Sequence, residues 1–148
     1  MVIYFDAAYV AKCYLNEPGA DRVREVAYGA DGLASCELAR LEFALILKRH
    51  VRERHVTRRE MTAILKEFED DEKSGVWQWF GVTSALLEKA RQSVLHIPST
   101  VFVRTGDAIH LACAEEHGFG EVYTNDRHML RAARYFNVTG VNVLSNNP

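Results

Sequence analysis

The sequence predicts an α/β fold, a central parallel sheet covered by helices. Three observations carry the prediction. Short apolar runs of strand length recur along the chain, amphipathic stretches of helical length lie between them, and turn-forming residues mark the joins. Alternation of this kind implies βαβ units, right-handed connections and a parallel sheet. In such open sheets ligands bind beyond the carboxyl ends of the strands, at the switch in strand order.

The elements follow in order. "VIYF" (Val2 to Phe5) has the look of a short buried strand, and Ala7 to Leu15 reads as a helix that "NEPG" breaks. A second short helix covers Ala20 to Tyr28, "YGADG" turns the chain, and Leu33 to Ser35 reads as a strand. Glu37 to Arg54 carries Leu38, Leu41, Leu45 and Ile46 on one helical stripe. Thr57 with Glu60 three residues on forms a capping box that opens another helix, with Met61, Ile64, Leu65 and Phe68 on its apolar side. That helix ends in the acidic run "EFEDDEKSG", which reads as a solvated helix end. "VWQWFGV" is strand-like, and Thr83 or Ser84 caps a helix reaching about Leu95. Gly106 to His117 is helical, "EVYTND" is a strand running into a turn, Asp126 to Tyr135 is helical, and Val138 to Leu144 forms a last strand.

The chain has 148 residues, which suits a single domain over 1–148 with one core. Hydrophobic content of 48%, charged content of 26% and a net charge of −2 match an ordinary globular protein and do not by themselves mark a nucleic-acid binder. Cys13, Cys36 and Cys113 are odd in number and widely spaced, which argues against a disulfide framework or a cysteine zinc site and fits a reduced cytoplasm. The N-terminus has no basic n-region, and no segment approaches the roughly 20 apolar residues of a membrane span, so no membrane association is expected.

Four acids stand where acids are costly. Asp6 follows the first strand directly, and Asp126 follows another apolar run; each is well placed to cap the helix after it. Asp107 opens the helix after "VFVRTG", where a capping role is also available. Glu42 lies amid Leu38, Leu41, Leu45 and Ile46, so it is partly desolvated unless paired, with Arg40 or Arg49 as candidate partners. Taken together the four acids point elsewhere. Strand ends of a parallel sheet share one rim, and carboxylates crowded there repel one another. A helix N-terminus offsets part of that repulsion, and a divalent cation offsets more. Oxygen donors of this kind suit Mg²⁺ or Mn²⁺.

The motifs "YFDAAYVAKCYLNEPGA", "LARLEFALILKR", "VRTGDAIHLACAEEHG" and "VYTNDRHMLRAA", in that order, resemble the PIN-domain ribonucleases, and within them the VapC-type toxins of type II toxin–antitoxin pairs. The resemblance spans nearly the whole chain. It implies a PIN-like α/β/α sandwich and a Mg²⁺- or Mn²⁺-dependent ribonuclease. Its acidic quartet falls on Asp6, Glu42, Asp107 and Asp126, and its supporting hydroxyl on Thr124. The metal would be held by Asp6 and Asp107 with Asp126 nearby, while Glu42 would orient or deprotonate the attacking water. The implied partners are an RNA substrate, a cognate antitoxin and a second copy in a homodimer. Tyr9, Leu15, Leu45 and Val51 are candidate antitoxin contacts by proximity. One departure is Ala8, where many relatives carry Ser or Thr.

RNA binding needs cations. Residues 40–66 hold eight of the 18 Lys and Arg against three acids, a local excess of five positive charges beside Glu42. Lys48, Arg49, Arg52 and Arg54 are the candidate phosphate contacts, with His50 and His55 extending the arm. His110 and His117 share a helix with Asp107; His110, one turn from Asp107, is within reach of a hydrogen bond near the site, and a structural role is the stronger expectation. Trp77 and Trp79 alternate on a strand and are expected in the core or at a dimer face rather than stacked on bases. The main rival reading is a non-catalytic PIN-like module that binds protein or RNA. A phosphatase fails because Ala8 stands where DxDx[TV] needs its second Asp, and a receiver domain lacks its paired acids and lysine.

Overall fold

A computed structural model describes residues 1–144, so the end of the expected domain, residues 145–148, lies outside it. Five parallel strands form one sheet: β1 (Val2–Phe5), β2 (Gly32–Cys36), β3 (Trp77–Phe80), β4 (Glu121–Tyr123) and β5 (Thr139–Val141). Their order is β3-β2-β1-β4-β5. The chain builds outward from β1 through β2 to β3, then returns to the other side of β1 for β4 and β5. The order therefore reverses where β1 meets β4, with Phe5 in register with Tyr123. Among the described residues seven helices cover the two faces: α1 (Ala7–Lys12), α2 (Ala20–Tyr28), α3 (Leu38–Arg52), α4 (Arg58–Lys73), α5 (Ser84–His96), α6 (Thr105–Glu116) and α7 (Arg127–Ala132), the last running into a 3-10 turn at Ala133–Phe136.

The period-2 alternation of β1 divides the core. Tyr4 points to one face with Cys36, Leu111, Val122 and Phe136. Ile3 and Phe5 point to the other, where Tyr9, Val10, Phe43, Leu47, Phe68 and Trp77 close an aromatic-rich layer. The pattern is an α/β/α sandwich, as predicted. No helix among the described residues is long and apolar enough to cross a membrane.

Several local expectations hold. Thr57 accepts from the Glu60 amide at 3.1 Å, and the Glu60 carboxylate accepts from the Thr57 amide at 3.4 Å, completing the capping box. Thr83, not Ser84, caps α5. Gly19, at φ 83°, supplies the left-handed turn before α2 that a side chain would strain.

Others change. Helix α1 stops at Lys12, and Cys13 to Leu15 continue as turns. The last strand is three residues rather than seven. On α3 the expected stripe is displaced. Leu41 and Leu45 are 60% and 62% exposed, while Ala39, Phe43 and Leu47 face inward. The aromatic layer decides this: Phe43 packs on Tyr14 and Phe68 with ring centroids 5.7 and 4.9 Å away, more area than leucines could bury at that contact. The acidic end of α4 is also not simply solvated. Asp71 accepts from the Tyr14 hydroxyl at 2.6 Å, and Glu72 accepts from Trp79 Nε1 at 2.8 Å and Arg40 Nε at 2.9 Å.

Candidate functional site

Strands β1 and β4 deliver two acids side by side at the switch point. The Asp6 amide donates to the Tyr123 carbonyl at 3.1 Å, locking the end of β1 to β4. Asp6 caps α1: its Oδ1 accepts from the Tyr9 amide at 2.9 Å. Its Oδ2 accepts from the Thr124 hydroxyl at 2.6 Å. The cap and an inward-facing acid are thus the same residue. Asp6 is only 4% exposed. Burial pushes its carboxyl up to about 6; the bonds from Thr124 and Tyr9 and the charge of His110 pull down, and Glu42 adds a small push upward.

Asp126 caps α7 through Oδ1, which accepts from the His128 amide at 2.9 Å and the Met129 amide at 3.0 Å. Its own amide donates to Thr124 Oγ1 at 3.0 Å. One buried hydroxyl, Thr124, therefore joins Asp6 to the turn that carries Asp126. Partial burial would raise the Asp126 carboxyl, but the Met129 amide and Arg104 outweigh it and hold it below the ordinary carboxylate value.

Asp107 is the third residue of α6 rather than its cap; Arg104 occupies that position. The Arg104 guanidinium donates to Asp107 through Nε at 2.9 Å and through an Nη at 3.4 Å, and it also pairs closely with Asp126. Glu42 reaches neither Arg40 nor Arg49. Its Oε1 accepts from His110 Nε2 at 2.7 Å, and its Oε2 lies 3.5 Å from where a Cβ on Gly106 would stand. His110 is buried, and its Nδ1 meets the Tyr4 hydroxyl at 2.9 Å. Burial would lower the His110 ring, but the Glu42 carboxylate outweighs it and raises the ring above its ordinary value.

The four predicted acids and Thr124 thus gather at one edge, in two pairs. Asp6 and Glu42 lie within electrostatic reach of each other and of His110. Asp107 and Asp126 share Arg104. Sequence reasoning missed Arg104, although its place three residues before Asp107 at a helix start was a signal. It placed His110 within hydrogen-bonding reach of the site but did not identify Glu42 as its partner.

The donor chemistry fits a hard divalent cation, since Asp6, Asp107 and Asp126 offer only carboxylate oxygens. Yet no group of three or more His, Cys, Asp or Glu side chains among the described residues is arranged to hold a metal ion. The guanidinium of Arg104 supplies the counter-charge to two of the three.

The basic arm lies along the far half of α3 and the loop after it. Lys48, Arg49, Arg52 and Arg54 are exposed and form no ion pair among the described residues. Arg49 is seven residues beyond Glu42, hence on the same helix face roughly 10 Å further along the axis. His50 does not extend the arm; it turns inward to Glu17 at 3.1 Å. Tyr9 and Leu15 are buried and cannot meet a partner, whereas Leu45 is exposed and Val51 partly so. Trp77 and Trp79 stack on each other with centroids 5.1 Å apart. Trp77 Nε1 donates to the Tyr14 hydroxyl at 2.7 Å, so both indoles are engaged within the fold.

The sequence profile of the PIN domain matches residues 3–135, and the chain belongs to that family. Among solved structures it is similar to VapC20 of Mycobacterium tuberculosis, described as a sarcin-ricin loop cleaving toxin. That match has 16% identity and a TM-score of 0.69, over 88% of this chain and 94% of the other. FitAcB of Neisseria gonorrhoeae matches at 14% identity and a TM-score of 0.69, over 97% and 98% of the two chains. VapBC2 of Rickettsia felis, bound to a DNA fragment from its promoter, matches at 9% identity and a TM-score of 0.68, over 96% and 98%. Likeness at these identities speaks to the fold. No curated protein matches the chain in sequence.

Proposed function

We propose that this chain is a metal-dependent ribonuclease and the toxin of a VapBC-type toxin–antitoxin pair. One observation carries the reading: Asp6 is a buried carboxylate at the switch point of a PIN fold, joined through Thr124 to the turn bearing Asp126. A buried acid this costly to ionise is what a cation site requires and what a plain helix cap does not.

Asp6, Asp107 and Asp126 would hold Mg²⁺ or Mn²⁺, in place of the charge Arg104 now supplies. When bound, the ion lowers the pKa of a coordinated water and neutralises phosphoryl oxygens. Glu42 orients the attacking water and accepts its proton. Lys48, Arg49, Arg52 and Arg54 hold the RNA backbone, which makes affinity depend on salt. The antitoxin partner rests on the likeness to the VapC, VapBC and Fit structures, and a homodimer on the family resemblance alone. Cys13, Cys36 and Cys113 are free thiols, in keeping with a cytoplasmic setting.

Cleavage of single-stranded RNA in Mn²⁺ tests the reading. Wild type is expected to cut, chelation to stop it, and Asp6→Asn to lower the rate by about a thousandfold or more. Equal rates in wild type and Asp6→Asn would sink it. RNA binding by the wild type without any cleavage would favour the non-catalytic module.

A further inference from the structure

A chain of buried hydrogen bonds ends on Glu42, and its direction can be read from donor chemistry. The Cys36 amide donates to the Tyr4 oxygen at 3.1 Å. The Tyr4 hydroxyl proton is then free to go to His110 Nδ1, 2.9 Å away. A neutral ring that accepts at Nδ1 carries its hydrogen on Nε2, which donates to Glu42 Oε1 at 2.7 Å. A protonated ring carries that hydrogen too, so the bond to Glu42 points the same way in both states. Tyr4 and His110 are both essentially inaccessible to water, whereas Glu42 is 33% exposed at its side chain.

We propose that His110 is the positioning residue for Glu42, and that Tyr4 fixes the His110 ring. The proposal rests on the reading of Glu42 as the group that orients the attacking water. Glu42 stands on α3, where Leu41 and Leu45 beside it are mostly exposed and Leu38 and Ile46 one turn away are only partly buried, so its one direct hydrogen bond among the described residues, from His110, is what fixes the carboxylate. His110 immobilises one oxygen from inside the core and leaves Oε2 free on the Gly106 side, toward the turn that carries Asp107. Tyr4 comes from the central strand and His110 from α6, so the carboxylate of α3 is registered against the sheet that carries Asp6. Supporting partners of this kind typically change activity by roughly 10- to 100-fold when removed.

The test is a double-mutant cycle on a short single-stranded RNA in Mn²⁺, with kcat, KM and the Mn²⁺ dissociation constant measured together. His110→Leu is expected to lower kcat roughly 10- to 100-fold with KM and Mn²⁺ affinity within about twofold. His110→Gln, whose amide keeps a donor near the Nε2 position, should restore most of the loss, and Tyr4→Phe should show a smaller fall. In a Glu42→Gln background, His110→Leu should cost nothing further, because the residue acts only through Glu42. The same loss in both backgrounds, or an unchanged kcat in His110→Leu, overturns the proposal. A second readout does not need cleavage. Carbon-13 relaxation of the Glu42 carboxyl should show lost order in His110→Leu and retained order in His110→Gln. Unchanged order in His110→Leu overturns the proposal even if the leucine variant folds poorly enough to blur kinetics. A wild type that cuts no RNA sinks the nuclease reading instead, while the relaxation result still decides what His110 does.

Discussion

The two sides of the acidic crevice hold two carboxylates each but balance them by different physics. On the Asp6–Glu42 side the compensation comes from inside the core: a threonine hydroxyl, a backbone amide and a buried imidazole. On the Asp107–Asp126 side it comes from one half-exposed guanidinium. Burial outweighs those donors and leaves Asp6 raised to about 6, whereas Arg104 helps hold Asp126 low. Asp6 is therefore an acid that burial resists charging, whereas Asp126 is a charged acid held by a side chain that solvent can reach. For the proposed cation the contrast would be useful: the buried acid would create a demand for positive charge that the solvent-exposed Arg104 now meets.

Thr124→Val should strike hardest, since it removes the link between the two sides. The isosteric change strips Asp6 Oδ2 and the Asp126 amide of their shared partner, at a cost of roughly 3 kcal/mol in urea unfolding, and drives the Asp6 carboxyl still higher. Next is the pH dependence of Asp6. Its carboxyl moves from 3.8 to about 6 on folding, so between those values the folded state holds a proton that the unfolded state has lost. Stability thus falls as pH rises through that window, by an amount on the order of 3 kcal/mol. In chelator, Asp6→Asn should match the wild type near pH 4 and exceed it near pH 8; parallel curves would show that burial does not tax Asp6. Smallest is Arg104→Ala, expected to cost about 1 kcal/mol or less because the pair is half exposed. Its informative readout is an NMR titration, in which the Asp126 carboxyl should shift upward once the guanidinium is gone. An unmoved Asp126 would mean that the helix amides alone hold it low.

The sheet and the acids were legible in the sequence because both are local signals. A short apolar run followed by Asp and a helix-forming stretch reports strand, cap and rim together, as at Asp6 and Asp126. Thr124 was legible only through family resemblance. What escaped was whatever depends on partners distant in sequence. Leu41 and Leu45 fit a helical stripe as well as Phe43 and Leu47 do, and only the rings of Tyr14 and Phe68 choose between them. Glu42 had two arginines on its own helix, but at i−2 and i+7 neither is spaced to pair with it, and its partner is 68 residues away on α6. Asp71 and Glu72 sat in a run that looked solvated, and the tyrosine and tryptophan that bind them lie on other elements.

Those last two acids have a mechanical consequence. The α3–α4 hairpin is fastened to the body by Phe43, Leu47 and Phe68 in the core, by Tyr14 on Asp71, by Trp79 on Glu72 and, nearer the tip, by Glu17 on His50, while Arg40 on Glu72 ties its two helices together. Its tip, residues 52–55, is exposed and carries Arg52 and Arg54. The hairpin is a lever clamped at its root and again at His50, with only the short tip beyond overhanging. Glu42 sits near the clamp on the same continuous rod as Lys48, Arg49 and Arg52. A load on the tip is therefore met first at His50 and Glu17, and only what passes that point travels along α3 to the acid-bearing edge of the sheet.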